Sequence, residues 1–222
     1  MATPKAAAAR LPIAILISGR GSNMRVIAEQ AAKGALMADV RVVVSDQPAA
    51  GGLAIARAMD IPTEVLEPRK FPDRASFDRA LVELLQGYAP ELIVLAGFMR
   101  ILTPDFIGAY AGRILNIHPS LLPKYRGLHT HRRVLEAGDA EHGVSVHFVT
   151  EELDGGPVIL QSRIAVTPAD TEDTLSARVQ QCEHRIYPQV VDWYAQGRLA
   201  FQDRHAWLDG KRLEEPLDPA TK

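Results

Sequence analysis

Short apolar runs without alternation recur through the first half of the chain. These runs are Ile13–Ile17, Val40–Val44, Thr63–Leu66, Leu92–Ala96 and Ile114–Ile117. Mostly aliphatic runs of this length are typical of strands that are buried on both faces of a sheet. The pattern therefore predicts five buried strands before residue 118.

Helical patterns separate these runs. They cover Ser22–Lys33, Leu53–Met59, Ser76–Leu85 and Pro104–Tyr110. Strands that alternate with helices favour βαβ units, and βαβ units build a parallel sheet with helices on both faces. We therefore expect an α/β protein with a Rossmann-like, doubly wound and mostly parallel sheet.

The alternation of single strands and helices changes after Pro123. A helix is predicted at Thr130–Ala137, strands at Val144–Val149 and Val158–Val166, a long helix at Glu172–Gln196 with a break at Pro188, and a hairpin at Leu199–Trp207 around Asp203. No repeat and no linker divides the chain. We therefore expect a C-terminal subregion of strands and one long helix, continuous with the first part.

Composition and charge narrow the class of protein. The 222 residues carry 25 lysines and arginines against 27 aspartates and glutamates, a net charge of −2. This balance argues against a protein that mainly binds nucleic acid. No apolar run approaches the roughly 20 residues of a membrane-spanning helix, and the apolar run at Leu11–Ile17 is short for a signal peptide. With the single cysteine Cys182, these features lead us to expect a cytoplasmic protein.

The first candidate site is the turn between the first strand and the first helix, Ser18–Asn23. A glycine-rich turn that opens a helix presents backbone N–H groups at the positive end of the helix dipole, which suits a phosphate. Met24 stands where a dinucleotide fingerprint has its third glycine. A phosphate monoester site, a dinucleotide site and a plain tight turn all remain open at this point.

The second candidate is Asn116–Pro123, at the carboxyl end of the fifth strand, where open α/β sheets bind ligands. Asn116 and His118 point to the same side of the strand because they are two residues apart. An amide N–H and an imidazole can stabilise an oxygen that becomes negative in a transition state. The alternative is a structural histidine; the neighbouring Asn116 and the two prolines favour a site.

Two further segments have weaker signals. Glu151–Pro157 holds Asp154 beside two glycines, as a proton-relay carboxylate or as a plain acidic turn. Phe98–Leu102 is apolar with one cation, which suits a flat ring system with an acidic tail, or a loop at the core edge. No spacing of histidines and cysteines predicts a metal site, and neither Ser120 nor Cys182 has the surroundings of a covalent nucleophile.

Together these segments resemble the folate-dependent formyltransferase family. The resemblance rests on Ser18–Asn23, Ala96–Leu102, Asn116–Pro123 with Gly127–His131, and Leu153–Pro157. It points to the members that formylate glycinamide ribonucleotide in purine biosynthesis. It implies one formyltransferase domain at residues 12–212, between a disordered tail at 1–11 and a loose tail at 213–222.

The resemblance also implies roles. Catalysis would belong to Asn116, His118 and Asp154; the ribonucleotide would contact Gly21, Ser22, Asn23, Gln180, Gln181, Cys182 and Glu183; the folate would contact Arg74, Met99, Arg100, Ile101, Leu102, Asn116, Thr150, Glu151, Glu152, Leu153 and Asp154. The implied co-substrate is 10-formyltetrahydrofolate, with no metal. The protein would act as a monomer or a weak homodimer, without nucleic acid or membrane partners.

Three other functions compete with this interpretation. A formyltetrahydrofolate hydrolase would use the same three catalytic residues, with water in place of the amine. A methionyl-tRNA formyltransferase would need a further C-terminal domain and a basic surface. A non-enzymatic nucleotide-binding module would bind phosphate without formyl transfer. The length of the chain and its mildly acidic balance disfavour the first two.

Overall fold

A computed structural model describes residues 10–219. Its helices are α1 (Ser22–Ala32), α2 (Gly51–Ala58), α3 (Arg74–Gln86), α4 (Pro104–Ala109), α5 (Thr130–Ala137) and α6 (Glu172–Ala195). Its strands are β1 (Leu11–Ile17), β2 (Ala38–Ser45), β3 (Thr63–Val65), β4 (Leu92–Leu95), β5 (Ile114–His118), β6 (Glu141–Phe148), β7 (Val158–Ala165), β8 (Leu199–Gln202), β9 (His205–Leu208) and β10 (Lys211–Arg212). Each predicted element is present, with ends shifted by a few residues.

Seven strands form the central sheet, in the order β3-β2-β1-β4-β5-β6-β7. The first five strands are parallel, whereas β6 runs antiparallel to both β5 and β7. The expected α/β architecture with a mostly parallel sheet is confirmed. Strands β8, β9 and β10 form a small separate sheet, which contains the predicted hairpin.

The core lies on both faces of the central sheet. Along β1, Ile13, Ile15 and Ile17 pack into one hydrophobic cluster, while Ala14 and Leu16 pack into the other. Helices α1 and α6 supply side chains to the first cluster, and α3 and α4 supply the second. A strand buried on both faces needs apolar residues at every position, which is why its run shows no alternation.

Helix α6 crosses the first face of the sheet without the break expected at Pro188. Buried side chains on both sides of the proline, including Ile186 and Val190, hold the helix against the sheet. The hydroxyl of Tyr187 lies 2.9 Å from the carbonyl oxygen of Leu95 and 3.0 Å from that of Leu115. Packing thus outweighs the local cost of the proline. Within residues 10–219, no helix has the length and apolar character needed to cross a membrane.

The ends of the described chain are more ordered than the sequence suggested. Strand β1 begins at Leu11, inside the expected disordered tail, because Leu11 pairs with Ala38 of β2. At the other end, the N–H of Leu213 donates to Ala206, and Leu217 forms a bridge with Leu160 of β7. Residues 213–219 therefore do not form a loose tail. The rest of both expected tails, residues 1–9 and 220–222, lies outside the described residues.

Candidate active site

The glycine-rich turn leads directly into α1. Gly21 precedes the helix in the left-handed conformation, with φ of 72°. A Cβ added there would lie 2.6 Å from the Cα of Gly52, so this turn needs glycine for both its backbone angles and its close contact. The N–H groups of the first helical turn, from Ser22 onward, have no acceptor within the helix. The turn can therefore hold an anion such as a phosphate.

Side chains of α6 and residues of this turn together line a cavity of about 260 Å³. Gln180 donates to the hydroxyl of Ser22 at 3.2 Å, and the amide nitrogen of Asn23 lies 2.8 Å from the Oε2 of Glu183. Burial raises the pKa of Glu183, while the hydrogen bond from Asn23 lowers it. The Oδ1 of Asn23 is buried without a hydrogen-bond partner.

Two other residues expected in this cavity lie elsewhere. Gln181 is exposed, and Cys182 packs into the hydrophobic core. Neither residue lines the cavity. The cause is helical geometry: positions 180 and 183 are three apart and share the face of α6 that meets α1, whereas 181 and 182 point to other faces.

A larger apolar cavity of about 460 Å³ lies beside the first one. Its wall includes Met99, Ile101, Leu128 and Leu153, four large apolar side chains that are between 49% and 68% exposed. Met99 lines both cavities, and its N–H donates to the hydroxyl of Ser18 at 2.9 Å. An open pocket lined by large apolar side chains favours a flat apolar ligand.

A smaller recess of about 100 Å³ adjoins the apolar cavity. It is lined by Leu102 and by the segment from Thr150 through Glu151, Glu152 and Leu153 to Asp154. Arg100 lines both the recess and the larger cavity, with its guanidinium 4.0 Å from Asp46 and stacked over the ring of Phe77. Arg74, by contrast, is exposed at the start of α3 and lines neither space.

Asn116 and His118 project from the same face of β5, as their spacing predicted. Asn116 lines both apolar spaces, and His118 lines the larger one. The Nε2 of His118 lies 2.9 Å from the carbonyl oxygen of Tyr125, to which it donates. Its Nδ1 faces the Oδ2 of Asp154 at 3.4 Å. With Nε2–H donated to a carbonyl, a proton on Nδ1 makes the contact with Asp154 attractive.

Asp154 has an unusual backbone conformation, and its side chain accepts one backbone hydrogen bond. It adopts φ of 48°, and its Oδ2 accepts the N–H of Gly127 at 2.9 Å. Its φ is uncommon for a residue with a side chain, and such conformations are frequent at functional sites. Among residues 10–219, no group of three or more histidine, cysteine, aspartate or glutamate side chains is arranged to hold a metal ion.

His147 also belongs to this cluster, although the sequence did not single it out. It lies opposite Asn116 in the β5–β6 pair, and its Nε2 is 3.1 Å from the amide nitrogen of Asn116. Burial lowers the pKa of His147 to about 4, so the ring is neutral near pH 7. The signal in the sequence was a histidine at one of the two polar positions, with Ser145, in the run Val144–Val149. Its contact with Asn116 depends on the pairing of two strands that the sequence does not specify.

The loop after His118 is anchored by two buried polar residues of the neighbouring strands. The hydroxyl of Ser145 donates to Ser120 and accepts from the N–H of Leu122. Gln161 donates to the carbonyl of Leu122 at 2.8 Å and to Ser145 at 2.9 Å. These bonds hold the segment that begins at the end of β5, and with it the backbone beside His118.

This fold and this cluster of an asparagine, a histidine and an aspartate agree with the comparison to known families. The family described as formyl transferase matches residues 11–191. The chain belongs to the formyl transferase family.

Similar proteins within this family have a more specific name. A phosphoribosylglycinamide formyltransferase of Escherichia coli (strain K12) is 55% identical over 201 residues, which cover 90% of this chain and 95% of the relative. A phosphoribosylglycinamide formyltransferase of Haemophilus influenzae is 47% identical over 201 residues, which again cover 90% of this chain and 95% of the relative. A solved phosphoribosylglycinamide formyltransferase structure from Coxiella burnetii is 50% identical, with a TM-score of 0.88 over 92% of this chain and 96% of that one.

Proposed function

We propose that this chain transfers the formyl group of 10-formyltetrahydrofolate to the amine of glycinamide ribonucleotide, a step of purine biosynthesis and one-carbon metabolism. The observation that supports this best is the position of Asn116, His118 and Asp154. All three line an apolar cavity that meets the phosphate-type turn at Met99. Two different ligands can thus reach one polar cluster from two sides.

The ribonucleotide occupies the cavity at the start of α1. Gly21, Ser22 and Asn23 hold its phosphate through backbone N–H groups. Gln180 and Glu183 contact the remainder from α6, on the wall opposite the turn. Gln181 and Cys182 have no direct contact in this proposal, because one is exposed and the other is in the core.

The folate occupies the apolar cavity and its recess. Met99, Ile101 and Leu153 cover its flat ring, and the segment from Thr150 to Glu152 borders the recess. This fit is supported by the four exposed apolar side chains, which an apolar ring would remove from water. Arg74 and Arg100 supply positive charge for the acidic tail, with Arg74 acting from the surface beyond the cavity.

Asn116, His118 and Asp154 then catalyse the direct transfer of the formyl group from the folate to the amine. The amine of the ribonucleotide attacks the formyl carbon, and the oxygen of that carbon becomes negative. Asn116 donates an amide N–H to this oxygen, and the positive charge of protonated His118 stabilises it electrostatically. Asp154 accepts the proton lost by the amine, which passes to the folate nitrogen as the carbon–nitrogen bond to the folate breaks. The products are the formylated ribonucleotide and tetrahydrofolate.

We also propose that residues 12–212 act as one domain, in the cytoplasm, as a monomer or a weak homodimer without metal, nucleic acid or membrane. The continuous sheet from β3 to β7 supports a single domain. Sedimentation at several concentrations tests the oligomeric state, and a single cooperative unfolding transition tests the single domain.

The purified protein with 10-formyltetrahydrofolate, assayed with and without glycinamide ribonucleotide, tests the activity. Loss of the formyl group that requires the ribonucleotide, with formation of formylated ribonucleotide, supports the transferase. Equal loss without it supports a hydrolase and contradicts the proposal. Binding of a phosphate compound with no formyl transfer would instead support a nucleotide-binding module.

A further inference from the structure

We propose that His147 is a positioning residue for this reaction: it accepts one hydrogen of the Asn116 amide and so aims the other hydrogen at the formyl oxygen. The inference rests on the proposed function for the identity of the reacting oxygen. The geometry behind it is independent of the reaction, because it involves only atoms of the chain. Asn116 and His147 face each other across the antiparallel β5–β6 pair.

The backbone determines which nitrogen of His147 carries the proton. Its Nδ1 lies 2.9 Å from the carbonyl oxygen of Phe148. A carbonyl oxygen only accepts hydrogen bonds, so Nδ1 must be the protonated nitrogen. The neutral ring then has a lone pair on Nε2, and Nε2 is the atom that faces Asn116.

The orientation of the Asn116 amide follows from this assignment. Nε2 of His147 accepts, so the amide must present its nitrogen, which lies 3.1 Å away. An amide nitrogen carries two hydrogens, and His147 uses one of them. The second hydrogen remains for a ligand in the cavity that Asn116 lines. With the amide reversed, its oxygen would face the lone pair of His147, which is repulsive, and the N–H donors would point away from their present positions.

The carbonyl of Phe148 is held by an irregular part of the sheet. The β6–β7 register shifts between Val146 and His147, next to this carbonyl. A Cβ added to Gly156 would lie 1.9 Å from the same oxygen, so the loop passes against it only because residue 156 has no side chain. Irregularities of this kind often orient side chains beside active sites.

Asp154 supplies the reason why the tautomer matters. Its Oδ1 lies 3.8 Å from Nε2 of His147. A proton on Nε2 would direct that nitrogen to the carboxylate and leave the Asn116 amide without its acceptor. The bond from Nδ1 to Phe148 prevents this in the neutral ring and keeps Asp154 available to His118.

Two substitutions separate the roles of the two ring nitrogens. His147→Asn places a polar atom near the Nδ1 position and none near Nε2, whereas His147→Gln reaches the Nε2 position with an amide oxygen. We expect His147→Asn to lower kcat about 10- to 100-fold, as misdirection of one oxyanion donor would. KM for both substrates should change less than about threefold. His147→Gln should recover most of the lost kcat.

A double-mutant cycle with Asn116→Ala tests whether His147 acts through Asn116. In the Asn116→Ala background, His147→Asn should lower kcat less than about threefold, since no amide is left to orient. The matched control is His142→Asn, on the same strand and equally buried, whose own effect should be the same with and without the Asn116→Ala substitution. If the His147→Asn and Asn116→Ala effects multiply in full, the proposal is overturned.

A spectroscopic measurement remains decisive if the His147 variants do not fold. Proton–nitrogen correlation spectra of the histidine rings report the tautomer of His147 in the unsubstituted protein near pH 7. The neutral ring with its proton on Nδ1 supports the proposal. A proton on Nε2, alone or with one on Nδ1, contradicts it. This result does not depend on turnover, so it separates failure of this inference from failure of the proposed function.

Discussion

The Nδ1 of His118 lies 3.4 Å from the Oδ2 of Asp154, although the two residues are far apart in the sequence. His118 ends a strand, whereas Asp154 sits in a loop between β6 and β7. Pairing of β6 with β5 places the start of this loop beside Leu115, and the loop then folds back so that Asp154 reaches His118. A carboxylate attracts a protonated imidazole at this distance, and the positive charge of such a ring would stabilise an oxyanion in the cavity.

Asp154→Asn tests the carboxylate directly. The amide retains an oxygen for the N–H of Gly127 but loses the charge that faces His118 and the capacity to accept the amine's proton. We expect kcat to fall by about 10² or more, with KM for the ribonucleotide changed less than about threefold. The measurement is steady-state kinetics at saturating folate.

Asp203→Asn is the matched control for that variant. Asp203 has φ of 50°, close to the 48° of Asp154, and lies in the β8–β9 turn. Asparagine tolerates this conformation as well as aspartate does. The control should therefore retain normal kcat. Normal turnover in Asp154→Asn would remove Asp154 from the mechanism.

The chain has only two asparagines, Asn23 and Asn116, and the proposed function gives them different tasks. Asn116→Ala removes an oxyanion donor, so kcat should fall about 10²- to 10³-fold. Asn23→Ala removes a contact at the ribonucleotide cavity, so KM for the ribonucleotide should rise while kcat changes little. A loss in kcat below about tenfold for Asn116→Ala would exclude the assigned role.

The sequence predicted the parallel part of the fold well because its signal is local. A strand such as Ile13–Ile17 is buried on both faces, so every position is apolar and the run is easy to find. The phosphate-type turn and the pair of Asn116 and His118 were equally local, since adjacent residues and the strand period suffice to place them.

The remaining features depend on contacts between distant segments. Pairing of β5 with β6 brings His147 to Asn116, and nothing near either residue specifies that pairing. Pro188 predicted a helix break because a proline destabilises a helix locally. The burial that keeps α6 continuous comes from contacts with the sheet, which the local sequence does not show. The segment around Leu217 was predicted to be loose because its partner, the edge strand β7, lies far away in the sequence.

Gly21→Ala tests the turn that we assign to the phosphate. The new Cβ would lie 2.6 Å from the Cα of Gly52, and φ is 72°. Gly197→Ala is the control, since Gly197 has φ of 70° and no neighbour within 4 Å of the added Cβ. The control should lose about 1–2 kcal/mol of unfolding free energy from the left-handed backbone alone.

Gly21→Ala should lose more than its control, because the backbone around Gly52 must shift as well. KM for the ribonucleotide should rise about tenfold or more in Gly21→Ala and stay unchanged in Gly197→Ala, because the proposed function places the substrate phosphate at the first turn only. Urea unfolding and steady-state kinetics measure the two effects. Equal KM values in both variants would place the phosphate elsewhere.

Buried histidines of β6 make the stability of the protein sensitive to mild acid. Burial lowers the pKa values of His142 and His147 to about 4, against a usual value near 6.5. As the pH falls below 6.5, the unfolded chain takes up these protons before the folded chain does. The stabilisation is therefore complete above pH 6.5 and is lost progressively as the pH falls towards 4.

His142→Gln isolates one of these two groups. Its ring contacts His131, 2.9 Å away, and a glutamine at this position does not titrate. Urea unfolding at pH 7.5, 6.5, 5.5 and 4.5 should therefore show a shallower loss of unfolding free energy in the variant than in the unsubstituted protein, with the two curves diverging only below about pH 6.5. Parallel curves over this range would mean that His142 takes up its proton equally in the folded and unfolded chains, and its burial would then have no part in the acid sensitivity.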